Sequence, residues 1–232
     1  MKKNHYNWIP DFVYGGIDGS VTTFAVVAGV VGAHLSTPTI LILGFANLLA
    51  DGFSMAVGKY SSDKAERERI EVIRADEMRS IQEKPLEEKE EIREILERFG
   101  FKGKDLTRAE NIITANPKVW VQMMLQHEFH VIEENLQPFK GAVATFLAFQ
   151  MIGAIPLTGY VLASFFPWSD QAVFAGTSVA TVLALFFVGT VKARFTERNA
   201  ILSGFETAAY GSAAAFIAYL VGNLLAKLLG VL

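Results

Sequence analysis

Apolar residues in this chain fall into five blocks of roughly twenty, and that spacing constrains the fold more than any other feature of the sequence. A block of this length matches the hydrocarbon thickness of a bilayer when wound as a helix. At 232 residues and 51% hydrophobic content the chain has the size of one soluble domain. The placement of charge rules that out: 33 of the 45 Asp, Glu, Lys and Arg residues lie between Lys59 and Lys140, leaving 12 for the other 150 positions. Two materials therefore alternate, with residues 1–60 carrying two spans, 61–138 a charged insert, and 139–232 three more spans. The net charge of −3 averages these parts and says little. With no cysteine, disulfides, thiolate metal sites and a cysteine nucleophile are excluded. No cleavable signal is expected, because the first apolar run is too long and leads directly into a second.

The spans are expected at about 12–33, 39–60, 141–166, 172–191 and 199–229. The second has no Gly or Pro between Tyr60 and Pro85 and should leave the bilayer as one long helix. Pro156 should kink the third. The fifth is rich in Gly and Ala, which permits close helix contact. Lys2, Lys3, the insert, Lys192, Arg194 and Arg198 all fall on one side, while HLSTPT and FPWSDQ on the other carry no Lys or Arg; Lys227 alone dissents. By the positive-inside rule the N-terminus and insert are cytoplasmic and the C-terminus lies opposite.

Neither of the first two spans is purely apolar. Asp18, Thr22 and Thr23 lie in the first; Asn47, Asp51 and Met55 lie in the second, four apart and on one face. Acids within a span are costly and usually line a protein interior or a water-filled path. An amide oxygen, a carboxylate and a thioether together suit a borderline divalent transition metal. The competing reading is that Asn47 and Asp51 bond to a neighbouring helix and Met55 is ordinary packing. Glu206 in the fifth span has the same two readings, as a proton-path residue or as helix glue.

Three helices are expected in the insert: one ending near Glu83, one over 85–99, and one from Pro117 to about Gln137, with a looser piece at 101–116. Ile70, Ile73, Glu77 and Ile81 make one inward stripe; Glu88, Ile92, Ile95 and Phe99 make a second, with Glu91 a turn away; Trp120, Met124, His127 and Val131 make a third, with Glu128 four residues after Met124. Carboxylates converging on a shared interior repel unless protons or a cation neutralise them. With Met124 and His127 beside them, Fe2+, Mn2+ or Zn2+ fits better than Ca2+. The alternative is a solvated charged surface. His5 and His34 read as interface or turn residues, and neither HExxH nor a di-iron ExxH pattern is present.

DGSVTTFAVVAGVVGA (18–33), LGFANLLADGFSMAVGKYSS (43–62), the PxxExxE run at 85–91 and AVATFLAFQMIGAIPL (142–157) together resemble the vacuolar iron transporter family in its bacterial and archaeal form. The resemblance covers nearly the whole chain. It implies an all-α membrane protein of five transmembrane helices, with a cytoplasmic three-helix metal-binding insert after the second span. It also implies a homodimer with the ion path between subunits, and export of Fe2+, or Mn2+, in exchange for protons. The family's pathway aspartate falls on Asp18 and its methionine on Met55. The metal-binding glutamates fall on Glu88 and Glu91, with Glu77 upstream and a Met–Glu element at Met124 and Glu128. His127 comes from helical phase alone. Two departures stand out: Lys59 replaces an acid or Asn at the cytoplasmic mouth, where a cation would weaken metal entry, and Met123–Met124 lie one residue further from Glu128 than in the family.

The expected function is transport of a divalent metal, without catalysis, permanent cofactor or nucleic-acid partner; the partners are metal ions, protons, the lipid bilayer and a second copy. In a prokaryote the site would be the cell membrane. The rival readings are a membrane-anchored metal sensor or storage module, and an iron oxidase. Intramembrane acids argue against the first and the missing ExxH pairs against the second.

Overall fold

The computed structural model describes residues 6–131 and 136–230; His5 and residues 132–135 of the expected third insert helix lie outside them. Among the described residues every regular element is helical: α1 (Ile9–Gly32), α2 (Thr37–Glu83), α3 (Pro85–Arg98), α4 (Gly103–Thr114), α5 (Pro117–His127), α6 (Pro138–Gly153), α7 (Ile155–Ala163), α8 (Asp170–Thr196) and α9 (Ala200–Leu228). The chain divides into a span unit, Tyr6–Ser61 with Gln137–Leu232, and an insert unit, Ser62–Leu136.

In the span unit α1, the apolar half of α2, α8 and α9 are each long and apolar enough to cross a membrane. α6 with α7, bent by 43° at their break, is long and apolar enough together to make a fifth. Pro156 sits in the first turn of α7, where its missing N–H and fixed φ break the α6 ladder. α1 is the centre of this unit: 56% of its apolar window is buried, against 22% for α2 and 17% for α9. It packs on α6, α7, α8 and α9. Small residues make that possible, because a side chain at Gly19 would meet the Phe149 carbonyl at 2.6 Å, and one at Gly15 or Gly32 would strike the carbonyls of Thr145 and Tyr219. α2 uses Gly44, Leu48 and Gly52, one residue per turn, to lie against Leu157, Phe149 and Gln150 of α6 and α7.

The insert unit is built from the charged half of α2 with α3, α4 and α5. Its core joins Ile81, Ile92, Ile95, Leu96, Leu106, Trp120, Met124, Leu125 and Val131, with Ile70 and Ile73 packed against it. Each fully buried side chain in it is worth about 2 kcal/mol. Opposite faces carry exposed i,i+3 pairs such as Arg69–Glu66 and Arg79–Asp76, which solubilise more than they stabilise. Three expectations are revised. The looser piece at 101–116 is a complete helix, α4, which docks on the core through the buried Leu106 with the half-buried Ala109 and Ile113 beside it. α5 ends at His127: His130 takes a left-handed conformation (φ 54°) and the Val131 N–H turns back to Leu125 O at 2.8 Å. Phe99 leaves the inward stripe and is exposed, its ring lying edge-on to His127.

Candidate functional site

In the span unit the site grows from two helix faces. On α1, Asp11 and Asp18 are two turns apart on one face, about 10 Å along the axis. On α2, Asn47, Asp51, Met55 and Lys59 form a half-buried stripe beside the buried Gly44–Leu48–Gly52–Ala56 row. The packed row sets the stripe's angle, and the Gln150 amide donates to Leu48 O at 2.9 Å to hold it. Asp18 and Asp51 lie within range of each other's charge across the two helices. Nearer the start of α1, Lys59 Nζ meets Asp11 Oδ1 at 3.0 Å, both side chains mostly buried, and the Tyr6 hydroxyl donates to Asp11 Oδ2.

The other span residues have definite places. The Thr22 hydroxyl donates to Asp18 O at 2.8 Å, a bond within its own helix. Asn47 carries a buried amide nitrogen with no hydrogen-bond partner. Met55 packs against the core of Val27, Leu48 and Phe149. Glu206 accepts from the Tyr210 hydroxyl at 2.8 Å along α9, and no contact joins it to Asp18 or Asp51 among the described residues. Two residues were missed in the sequence, Asp11 and Gln150. The seven-residue spacing from Asp18 signalled the first; nothing local signalled the second.

In the insert unit four glutamates from α2, α3 and the end of α5 converge. Glu77 and Glu88 are 5% and 8% exposed. Burial, then a hydrogen bond to Glu88 and the charges of Glu88, Glu128 and Glu91, push the Glu77 carboxyl up to about 8. Burial and the charges of Glu91 and Glu88 push Glu128 up to about 7, and its carboxyl donates to Glu91. Glu91 is itself raised, first by burial and then by Glu88. Glu77 Oε1 and Glu88 Oε2 are buried with no hydrogen-bond partner. Met124 is fully buried in the apolar core, and His127 faces Phe99 with ring centroids 5.0 Å apart.

Chemically the cluster is a proton store with unused buried lone pairs. A divalent cation entering it would displace protons, since a coordinating carboxylate must be ionised. Among the described residues no group of three or more His, Asp or Glu stands ready at metal-ligand spacing. The glutamates instead bond to each other, which is how uncompensated carboxyls in one interior settle.

Four or five apolar spans, two of them carrying acids near enough for their charges to interact, define a multi-pass helical membrane protein. The sequence profile of the VIT family matches residues 9–223, and the chain belongs to that family. It is 36% identical to the vacuolar iron transporter of Toxoplasma gondii, over 99% of this chain and 79% of the relative. It is 31% identical to that of Plasmodium berghei, over 97% and 84%. Vacuolar iron transporter 1 of Arabidopsis thaliana is 32% identical, over 91% and 83%.

Proposed function

We propose that this protein exports a divalent transition metal, Fe2+ with Mn2+ as the second candidate, from the cytosol in exchange for protons. The observation that carries the reading is the Asp18–Asp51 pair: two half-buried carboxylates, one on α1 and one on α2, near enough within the spans for their charges to interact. The names of the relatives supply the cargo, iron. In this reading Asp18 and Asp51 receive the metal, Asn47 and Met55 complete its surroundings, and protons arriving from the far side release it. The insert glutamates gather metal and give up protons as they bind it. Lys2, Lys3, Lys192, Arg194 and Arg198 put the N-terminus and insert in the cytoplasm, and the C-terminus opposite. A second copy of the chain completes the path, with the half-buried α2 stripe turned toward it. Glu206, paired with Tyr210, is a subsidiary proton site.

The test is metal flux in proteoliposomes across a panel of Fe2+, Mn2+, Co2+ and Zn2+, with and without a pH gradient. Flux of Fe2+ or Mn2+ that rises with an opposing proton gradient is expected. Metal binding with no flux under any gradient would overturn transport in favour of a sensor or storage module, and oxygen consumption with Fe2+ would point to an oxidase.

A further inference from the structure

A cavity of about 420 Å3 opens in the span unit where α1 ends, at the opposite end of that helix from Asp11. Its polar lining is His34, Thr37, Tyr160, Asp170, Gln171 and Tyr219, drawn from the α1–α2 turn, α7, α8 and α9. Liquid water occupies about 30 Å3 per molecule, so the space holds roughly fourteen waters, ample for a divalent ion with its six-water shell.

The lining groups point to a cation. Asp170 is at the first position of α8, and one of its oxygens accepts a long bond of 3.3 Å from the Thr37 hydroxyl. His34 closes α1 in a left-handed C-terminal turn (φ 56°), with the Leu35 N–H returning to Val30 O at 3.2 Å, and this turn sets its ring at the cavity. Its Nε2 has a single weak neighbour, the Asn223 amide nitrogen at 3.4 Å. Tyr160 is 1% exposed, and its hydroxyl makes no well-formed hydrogen bond; Thr177, the hydroxyl it approaches, gives its own proton to Val173 O. A buried hydroxyl left without a partner costs free energy unless a ligand or its water supplies one.

We propose that this cavity is a second cation site, holding a hydrated divalent transition metal between the Asp170 carboxylate and the His34 imidazole, with the Tyr160 hydroxyl bonded to its water. An oxygen and an imidazole donor with remaining waters suit Mn2+, Fe2+ or Zn2+ at low affinity. On the export reading above, which places the end of α1 away from the cytoplasm, this is also where metal leaves; the binding itself does not depend on that reading.

The experiment uses the full chain in lipid nanodiscs with Trp8→Phe and Trp120→Phe, leaving Trp168 as the single tryptophan. That residue is two positions from Asp170, at most about 7.6 Å between Cα atoms. Titration with Mn2+ should quench Trp168 fluorescence saturably. Asp170→Asn and His34→Gln should each move the midpoint at least tenfold higher, Asp170→Glu should restore it, and Asp18→Asn should leave it in place. Non-saturable quenching, or a midpoint unmoved by both Asp170→Asn and His34→Gln, would overturn the site. Asp170-dependent quenching in a protein that moves no metal would keep the site and remove only the export reading.

Discussion

In the spans the acids stand singly, Asp18 on α1 and Asp51 on α2, each half-buried beside close-packed small residues. In the insert four glutamates crowd one interior, and two of them are almost wholly buried. The first arrangement keeps its carboxyls apart on helices fixed by contacts such as Gly19 against Phe149. The second brings them together and compensates with shared protons. An isolated acid pair offers a passing cation charge without a closed cage, which suits transit. A crowded cluster binds the cation in competition with several protons, which suits capture that responds to pH.

The sharpest way to break this contrast is Asp18→Asn. Proton-driven flux in proteoliposomes should fall at least a hundredfold, while metal binding to the insert stays unchanged; loss of both together would make the two sites one. Next is Glu88→Ala with Glu91→Ala in the full chain. Calorimetry should show metal affinity of the insert lower by about 10- to 100-fold, with flux reduced far less.

The third concerns pH. Glu77 near 8 and Glu128 near 7 mean that metal binding to the cluster releases protons, so affinity should climb from pH 6 to 8, about tenfold per unit for each proton displaced. The linked effect on folding has a definite sign. A carboxyl raised from 4.5 to about 8 holds its proton longer in the folded state. The metal-free insert should therefore lose stability between roughly pH 4.5 and 8, on the order of a few kcal/mol. Thermal melting that improved across that range would remove the shared-proton account.

Asp11→Asn is a smaller test, of the ion pair. Removing the Asp11 charge from beside Lys59 should lower flux about tenfold, and adding Lys59→Met should recover most of it, because the net charge of the pair is then restored to zero. No recovery would mean that Asp11 acts directly on the metal. The smallest effect is expected for Met55→Leu: a change of a few-fold in the ranking of Fe2+, Mn2+ and Zn2+, with expression unaltered. An unchanged ranking would return Met55 to packing against Leu48 and Phe149.

Much of the fold was legible because bilayer thickness imposes a length that the sequence must honour. The long α2 followed from the absence of Gly and Pro after Tyr60, and the bend between α6 and α7 from Pro156. The insert stripes were readable too, since Ile73, Glu77 and Ile81 in α2, and Glu88, Ile92 and Ile95 in α3, keep helical period. α4 was not, because its only buried residue is Leu106 and Gly100 and Gly103 flank its start. Nor was the end of α5: His130 in a left-handed turn carries no glycine or proline to announce it. The Lys59–Asp11 pair and the His34–Asp170 cavity escaped for a different reason. They join residues distant in the chain, and only the packing of α1, α2, α8 and α9 reveals them.

The glycine contacts of α1 also say which parts of a transport cycle stand still. With backbone against backbone at Gly15, Gly19 and Gly32, α1 cannot roll or slide without collision. α2 is less encumbered: 22% of its apolar window is buried, and the Gln150 amide on Leu48 O is a hold that can be broken and remade. In the export cycle proposed above, α1 is then the stator and α2 the rotor, with Asp18 a fixed post past which Asp51 and Met55 would travel.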